Sequence, residues 1–205
     1  MLELKNVSAG YGKTEILHGI SLSFPKGKFI SVIGPNGSGK STLLKAAVGI
    51  IPALSGDITA DGESINTLSR RRLAEKTAYL SQGKNVPDMT VSQLVMHGRF
   101  PHLKYPRRYT EKDREIVFSA LSKLGISSLA DRPLSSLSGG MRQNAYIAMA
   151  LAQDTDYILL DEPTAYLDIF HQLELMKTLK KLTSLGKGVA AVLHDLPLAF
   201  AFSDG

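Results

Sequence analysis

The sequence contains no cysteine among its 205 residues, which excludes disulfide bonds and metal sites built on thiolates. No apolar run approaches the length that crosses a bilayer, and the opening segment "MLELKNVSAG" resembles neither a signal peptide nor a transit peptide. We therefore expect a soluble, cytoplasmic protein. Because 43% of the residues are hydrophobic, the chain is expected to form one domain, 1–205, with a sizeable core.

The sequence also lacks a block of like charge, although its formal net charge is +5. Its densest basic group is "RFPHLKYPRRYTEKDR", residues 99–114, where aromatics and prolines alternate with Arg and Lys. Charge alone leaves two interpretations open, an ordinary solvated surface and a surface for an anionic partner. Because acidic residues follow at once, we expect no nucleic-acid partner.

Three short apolar runs predict strands of a parallel sheet: "FISVIG" (29–34), "YILLD" (157–161) and "GVAAVLH" (188–194). None alternates with polar residues, which is typical of strands buried on both faces. A helix is predicted after each run, over 40–48, 168–185 and 196–202. In the second helix a three-residue spacing predicts one buried face, made of Leu173, Met176, Leu179 and Leu182.

The remaining segments have other patterns. "LELKNVSAGYG" and "ILHGISLSF" alternate and predict antiparallel strands, and Asp61-Gly62 predicts a hairpin turn. Residues 90–134 are predicted to be mostly helical, with breaks at Pro101, Pro106 and Pro133. The fold class is therefore α/β, with a mostly parallel core, an N-terminal antiparallel β element and an inserted α-helical subdomain at about 88–150.

A phosphate-binding loop is predicted directly after the first apolar run. "GPNGSGKST" fits G-x-x-x-x-G-K-[ST] between a strand and a helix, a context that disfavours an ordinary glycine-rich turn. Its glycines let backbone amides surround a β-phosphate, Lys40 reaches the β and γ oxygens, and Ser41 offers a hydroxyl to Mg²⁺. The predicted nucleotide-binding residues are Gly34, Pro35, Asn36, Gly37, Ser38, Gly39, Lys40, Ser41 and Thr42.

Two acids end the run "YILLDE". They could simply cap a strand. Beside a phosphate loop, however, one carboxylate is needed for the Mg²⁺ shell and a second can activate water. We therefore predict that Asp161 is a metal ligand and that Glu162 is the general base.

The stretch "SLSGGMRQ" predicts a second phosphate-binding helix start. Ser138 is a favourable N-cap, and Gly139 and Gly140 leave the first-turn amides uncovered. A flexible loop before a core helix is the alternative.

Taken in order, "GPNGSGKST", "YLSQ", "LSGGM", "ILLDEPT", "AYLD" and "VLHD" resemble the ATP-binding subunit of an ATP-binding-cassette (ABC) transporter, over nearly the whole chain. The resemblance implies a P-loop NTPase fold and ATP hydrolysis with Mg²⁺. It also implies adenine stacking by Tyr11, metal or water contact and catalysis by Gln82, γ-phosphate contact by His194, and a subunit-boundary position for Asp168. Each residue also has a purely structural alternative. These alternatives are a surface aromatic for Tyr11, a strand-end polar residue for Gln82, a core histidine for His194 and a helix cap for Asp168.

The resemblance further implies a head-to-tail dimer with a second copy of the chain. The helix start at Ser138, Gly139, Gly140 and Met141 would then face the γ-phosphate held by the partner. Met141 departs from the family pattern, which has Gln or Glu there, and Asn144 stands where Arg is common. Relatives continue beyond the position of Gly205, so we expect a truncated C-terminus.

"MHGRFPH", "IAMALAQD" and "DEPTAYLDIFHQLELM" resemble the group that imports iron–siderophore, haem and cobalamin complexes. This implies an importer subunit on the cytoplasmic face of the membrane, docked to transmembrane permease subunits with a substrate-binding protein upstream. A soluble, non-transport ATPase of the same family and an importer of another cargo are the alternatives.

Overall fold

The chain forms two β-sheets and seven α-helices in the computed structural model, which describes residues 1–81, 83, 86–165 and 167–205. The strands are β1 (Leu2–Tyr11), β2 (Thr14–Phe24), β3 (Phe29–Val32), β4 (Ala53–Ala60), β5 (Glu63–Ser64), β6 (Thr77–Leu80), β7 (Tyr157–Asp161) and β8 (Gly188–Val192). The helices are α1 (Lys40–Ala47), α2 (Arg70–Lys76), α3 (Val91–His97), α4 (Glu111–Lys123), α5 (Gly139–Ala152), α6 (Ile169–Ser184) and α7 (Leu196–Phe202).

One sheet is parallel, in the order β3-β8-β7-β6. The three apolar runs are therefore confirmed as strands, although β3 and β8 end two residues earlier than predicted, at Val32 and Val192. Every residue of β7 and β8 is buried, as continuous apolar strands covered on both faces require.

The other sheet is antiparallel, in the order β2-β1-β4-β5. The predicted turn between β4 and β5 is confirmed: Asp61 has φ 54° and Gly62 has φ 82°. Two consecutive left-handed residues are the requirement of a type I′ turn, whose twist matches that of a hairpin.

Helix α1 lies between the sheets and contacts β1, β2 and β7. Helix α6 covers the opposite face of the parallel sheet, and three of its four predicted core residues, Met176, Leu179 and Leu182, are buried. The prediction was wrong for Leu173, which is 36% exposed, while Leu175 is buried in the same cluster. A strict three-residue step drifts away from the 3.6-residue helical period, so the first position of the series leaves the buried face.

Helices α3, α4 and α5 pack on one another around a third apolar cluster that includes Val91, Val117 and Ala148. The three prolines predicted as breaks all lie outside these helices. A buried ion pair joins the segment that follows α3 to α4: Arg99 Nε lies 2.9 Å from Asp113 Oδ1. Within the described ranges, no helix is both long and apolar enough to cross a bilayer. The subdomain limits of about 88–150 stay a prediction.

Candidate active site

The loop between β3 and α1 presents its backbone outward. Gly37 has φ 81° and Gly39 has φ 89°, a left-handed conformation that glycine adopts without the strain of a Cβ. A Cβ at Gly39 would also lie 3.0 Å from Ile16 Cγ2 and 3.1 Å from Leu17 Cδ2. The predicted loop residues Gly34, Pro35, Asn36 and Ser38 are exposed. The loop is therefore an exposed cradle of backbone groups, which suits a phosphate.

Lys40 begins α1 and folds back over this cradle. Its Nζ donates hydrogen bonds to the carbonyl oxygens of Gly34, at 2.9 Å, and Pro35, at 2.8 Å. The side chain is 8% exposed and the neighbouring Thr42 is 5% exposed. The ammonium group and the positive end of the helix together make the loop an anion site.

The acid that ends β7 faces α1. Tyr157, Leu159 and Asp161 alternate along β7 and share one face of the sheet, the face on which α1 packs. Asp161 is 7% exposed, and its Oδ1 accepts a hydrogen bond of 2.8 Å from Ser41 Oγ. Its Oδ2 accepts one of 3.0 Å from the Tyr79 hydroxyl. The geometry thus brings together Ser41 and Asp161, two of the three residues predicted to contact Mg²⁺.

These oxygens suit Mg²⁺ chemically. Among the described residues, no group of three or more His, Cys, Asp and Glu side chains could hold a metal by itself. Mg²⁺ needs no such group, because it takes hard oxygen ligands and completes its shell with phosphate oxygens and water. One hydroxyl and one carboxylate beside a phosphate loop match that requirement.

Glu162 follows β7 and His194 follows β8, the neighbouring strand. Parallel strands bring their carboxyl ends to the same edge of a sheet, where α/β proteins bind ligands. His194 Nε2 lies 2.8 Å from Glu162 Oε1. Glu162 has φ 50°, a strained conformation for a residue with a side chain, and such strain clusters at functional sites. The two residues predicted to act on water and on the γ-phosphate are therefore in contact.

A small cleft of about 60 Å³ lies beside this acidic strand end. It is lined in part by Ser81, Asp161 and Glu162, and by Gln143 from α5. Sequence reasoning assigned no role to Gln143, although it lies within the quoted "SLSGGMRQ" stretch.

The second predicted phosphate site is the start of α5. Ser138 is its N-cap, and its Oγ accepts a hydrogen bond of 3.3 Å from the Met141 N–H. Ser138 and Gly139 are exposed, as is the Met141 side chain at 44%. Helix α5 packs on α3, α4 and β6, whereas α1 packs on β1, β2 and β7. The two helix starts thus belong to different layers of the fold.

Gly140 has a requirement within its own chain. A Cβ there would meet His171 Cδ2 and lie 2.9 Å from His171 Cγ. The imidazole is held in place by Asp168, whose Oδ2 lies 2.7 Å from His171 Nδ1. The sequence interpretation gave this glycine only the task of leaving room for a partner's nucleotide. It gave no role to His171, although this residue lies within the quoted stretch "DEPTAYLDIFHQLELM".

Asp168 is the N-cap of α6, which is the structural alternative considered for it above. Its side chain accepts a hydrogen bond of 3.0 Å from the His171 backbone N–H. That hydrogen bond, followed by the one from the His171 ring, lowers the pKa of Asp168. Tyr11 ends β1 and is 49% exposed. Gln82 lies outside the described residues.

Comparison with known proteins gives the family and the fold of the chain. The sequence model described as ABC transporter matches residues 17–165, most of the chain. The chain belongs to the ABC transporter family. The chain is accordingly an ATP-binding, ATP-hydrolysing domain, and the matched range contains the phosphate loop and the acidic strand end.

Two curated members of the ABC family illustrate the similarity. The petrobactin import ATP-binding protein FpuD of Bacillus anthracis is 43% identical over 205 residues, which cover 99% of this chain and 75% of that protein. The iron(3+)-hydroxamate import ATP-binding protein FhuC of Bacillus subtilis is 43% identical over 204 residues, covering 98% of this chain and 76% of that protein.

Solved ABC cassettes share the fold. A nucleotide-free ATP-binding cassette from an ABC transporter superposes with a TM-score of 0.90 at 26% identity, covering 100% of this chain and 85% of that one. A bacterial ABC transporter cassette solved as a dimer gives a TM-score of 0.84 at 29% identity, covering 100% and 92%. The P-loop NTPase fold class expected from the sequence is confirmed.

Proposed function

We propose that this ATPase powers a membrane importer of iron–siderophore or another metal chelate such as haem or cobalamin. Similarity to a petrobactin import protein and to an iron(3+)-hydroxamate import protein supports this cargo class. The observation that carries the ATPase site is the pair of 2.8 Å contacts at the carboxyl edge of the parallel sheet, Ser41–Asp161 and Glu162–His194. One contact suits a metal-bound nucleotide, and the other suits activation of water.

Hydrolysis then proceeds at the phosphate loop. The loop amides and Lys40 hold the β- and γ-phosphates, and Ser41 and Asp161 would hold Mg²⁺, which would supply positive charge that neutralises the phosphates. Glu162 accepts a proton from water as the water oxygen bonds to the γ-phosphorus. The bond between that phosphorus and the β–γ bridging oxygen breaks, and ADP and inorganic phosphate are released. His194, in contact with Glu162, contacts the γ-phosphate and orients the general base.

A second copy of the chain completes the site in this proposal. The exposed start of α5, with Ser138, Gly139 and Met141 on its first turn, supplies amides to the γ-phosphate held by the partner. Asp168 lies at the boundary between the copies, and Tyr11 stacks on the adenine. The solved cassette dimer supports this arrangement. Closure on ATP is favoured because only the closed dimer offers donors on both sides of the γ-phosphate.

The remaining parts of the proposal concern the membrane. The cassette docks at the cytoplasmic face on transmembrane permease subunits, through residues 88–150 and the segment of Gln82. A substrate-binding protein delivers the chelate from the other side. Hydrolysis reopens the dimer, and this motion drives the permease.

The variant Glu162→Gln tests the general base. It keeps the size of the side chain but removes the proton acceptor, so ATP binding is retained while turnover falls by about 10²- to 10⁴-fold. The ATP-bound dimer accumulates, which size-exclusion chromatography with ATP detects. The matched control is Glu174→Gln, an exposed glutamate on α6 paired with Lys177. Normal turnover in Glu162→Gln would remove this residue from the role.

The membrane role is tested by affinity purification of the chain from its native cells. Polytopic membrane proteins are expected to co-purify, and uptake of labelled ferric siderophores, haem and cobalamin by cells lacking the chain then identifies the cargo. Stimulation of the ATPase by nucleic acid or ribosomes, with no membrane partner recovered, would contradict the importer.

A further inference from the structure

A tyrosine outside every predicted role contacts the predicted metal ligand. Tyr79 lies on β6 opposite Leu159 of β7 in the parallel register, and therefore shares the sheet face of Leu159 and Asp161. Its hydroxyl donates to Asp161 Oδ2 at 3.0 Å, while Ser41 Oγ donates to Oδ1 at 2.8 Å. Each oxygen of this carboxylate thus has a hydrogen-bond donor on a different element.

We propose that Tyr79 is a positioning residue for the metal site. Its hydroxyl holds one oxygen of Asp161, so that the other oxygen stays directed at Ser41 and at Mg²⁺ bound there. This inference rests on the proposed function, because it assumes that Ser41 and Asp161 hold the metal that accompanies ATP.

The physical reason is the burial of the carboxylate. Asp161 is 7% exposed, so an oxygen that loses its donor is not freely resolvated, and leaving such a group unpaired is costly. The terminal torsion of an aspartate is broad and roughly two-fold, so its own rotamer preference does not fix the carboxylate plane. An anchored donor on one oxygen fixes that plane.

Tyr79 is suited to this task. Its ring is half-buried and packs against the core cluster that contains Leu159, which limits its motion. Burial, together with the negative charge of Asp161, raises the pKa of the Tyr79 hydroxyl well above its ordinary value.

The chain contains a matched control on the same sheet face. Tyr157 is 1% exposed, and its hydroxyl donates to Asp61 Oδ1 at 2.6 Å. This second tyrosine–aspartate bond joins the parallel sheet to the β4–β5 turn, away from the phosphate loop. Tyr79→Phe and Tyr157→Phe thus each remove one hydroxyl from a bond to a carboxylate, and only the first touches the site.

The experiment measures binding of a fluorescent non-hydrolysable ATP analogue with Mg²⁺ and with a chelator, in parent, Tyr79→Phe and Tyr157→Phe proteins. The readout is the ratio of the two dissociation constants, which is the affinity that Mg²⁺ adds. In Tyr79→Phe this ratio is expected to fall by about 10- to 100-fold, the usual effect of losing a partner of a metal ligand. The metal-free constant is unchanged.

The outcomes separate the inference from the proposed function. A ratio that falls in Tyr79→Phe and stays at the parental value in Tyr157→Phe supports the inference, and a parental ratio in Tyr79→Phe overturns it. If the parent itself gains no affinity from Mg²⁺, the proposed metal–nucleotide site fails. Tyr79→Leu, which keeps apolar packing without a donor, gives the same readout should the phenylalanine variant not fold.

Discussion

Gly140→Ala is the perturbation whose effect the structure specifies most closely. The added Cβ would lie 2.9 Å from His171 Cγ, inside ordinary contact distance. The imidazole is 42% exposed, so it can move away from the Cβ only by giving up its contact with Asp168, which holds it at 2.7 Å. We therefore expect the substitution to destabilise the single chain before any dimer or nucleotide is involved.

The magnitude follows from two opposing effects. Forcing an extra methyl group into a packed contact costs about 1–3 kcal/mol, whereas alanine favours a helix over glycine by up to about 1 kcal/mol. When His171→Ala removes the ring, only the helix preference remains, and Gly140→Ala becomes neutral or stabilising. The coupling free energy between the two substitutions is then about 1–3 kcal/mol.

Urea unfolding of the nucleotide-free protein measures this coupling in a double-mutant cycle. The control cycle combines Gly140→Ala with Lys177→Ala, an exposed position on the same helix as His171, and predicts simple additivity. An unchanged cost of Gly140→Ala in the His171→Ala protein would refute the packing argument and leave the partner's nucleotide as the reason for glycine.

Two further predictions concern acid stability and the start of α5. Burial raises the pKa of Asp113, but hydrogen bonds from Thr110 and from Arg99 outweigh it and hold the pKa at about 2. This folded pKa lies below the unfolded value of about 4. Asp113 therefore adds about 2 kcal/mol to the free energy of unfolding at pH values above about 4, and this contribution is lost as the pH falls toward 2. In Asp113→Asn, the free energy of unfolding measured by urea titration should fall less steeply between about pH 4 and pH 2 than in the parent. An equally steep fall would contradict this. Ser138→Arg, with exposed Ser135→Arg as control, should leave nucleotide binding to the monomer intact and lower ATPase activity by about 10²-fold or more; weakened monomer binding would assign the α5 start to its own chain's nucleotide.

Much of the fold could be predicted, because its signals are local. The runs that became β3, β7 and β8 lack alternation, and the Asp61-Gly62 pair suits only a tight hairpin. The phosphate loop and the acids after β7 are contiguous motifs whose chemistry follows from residue type and spacing. The ends of β3 and β8 were less well predicted, because the last hydrogen bonds of a strand depend on packing. The burial of Leu173 was also mispredicted, because packing decides which face of a helix is buried.

Tyr79 and His171 could not be predicted in the same way. Each acts through a contact between elements far apart in sequence: Tyr79 with an aspartate 82 positions away, and His171 with a glycine on another helix. One signal for Tyr79 was available. A polar-tipped aromatic on the strand beside the acidic one, on the face of Asp161, is a candidate donor once the strands are taken as neighbours.

The proposed composite site is tested most directly by mixing two inactive variants, Glu162→Gln and Ser138→Arg. In a mixed head-to-tail dimer, one site combines an intact Glu162 with an intact α5 start, so ATPase activity should appear on mixing and peak near equal amounts. Each variant alone should stay inactive. Mixtures that remain as inactive as their components, although mixed dimers form, would contradict a site completed by the second copy.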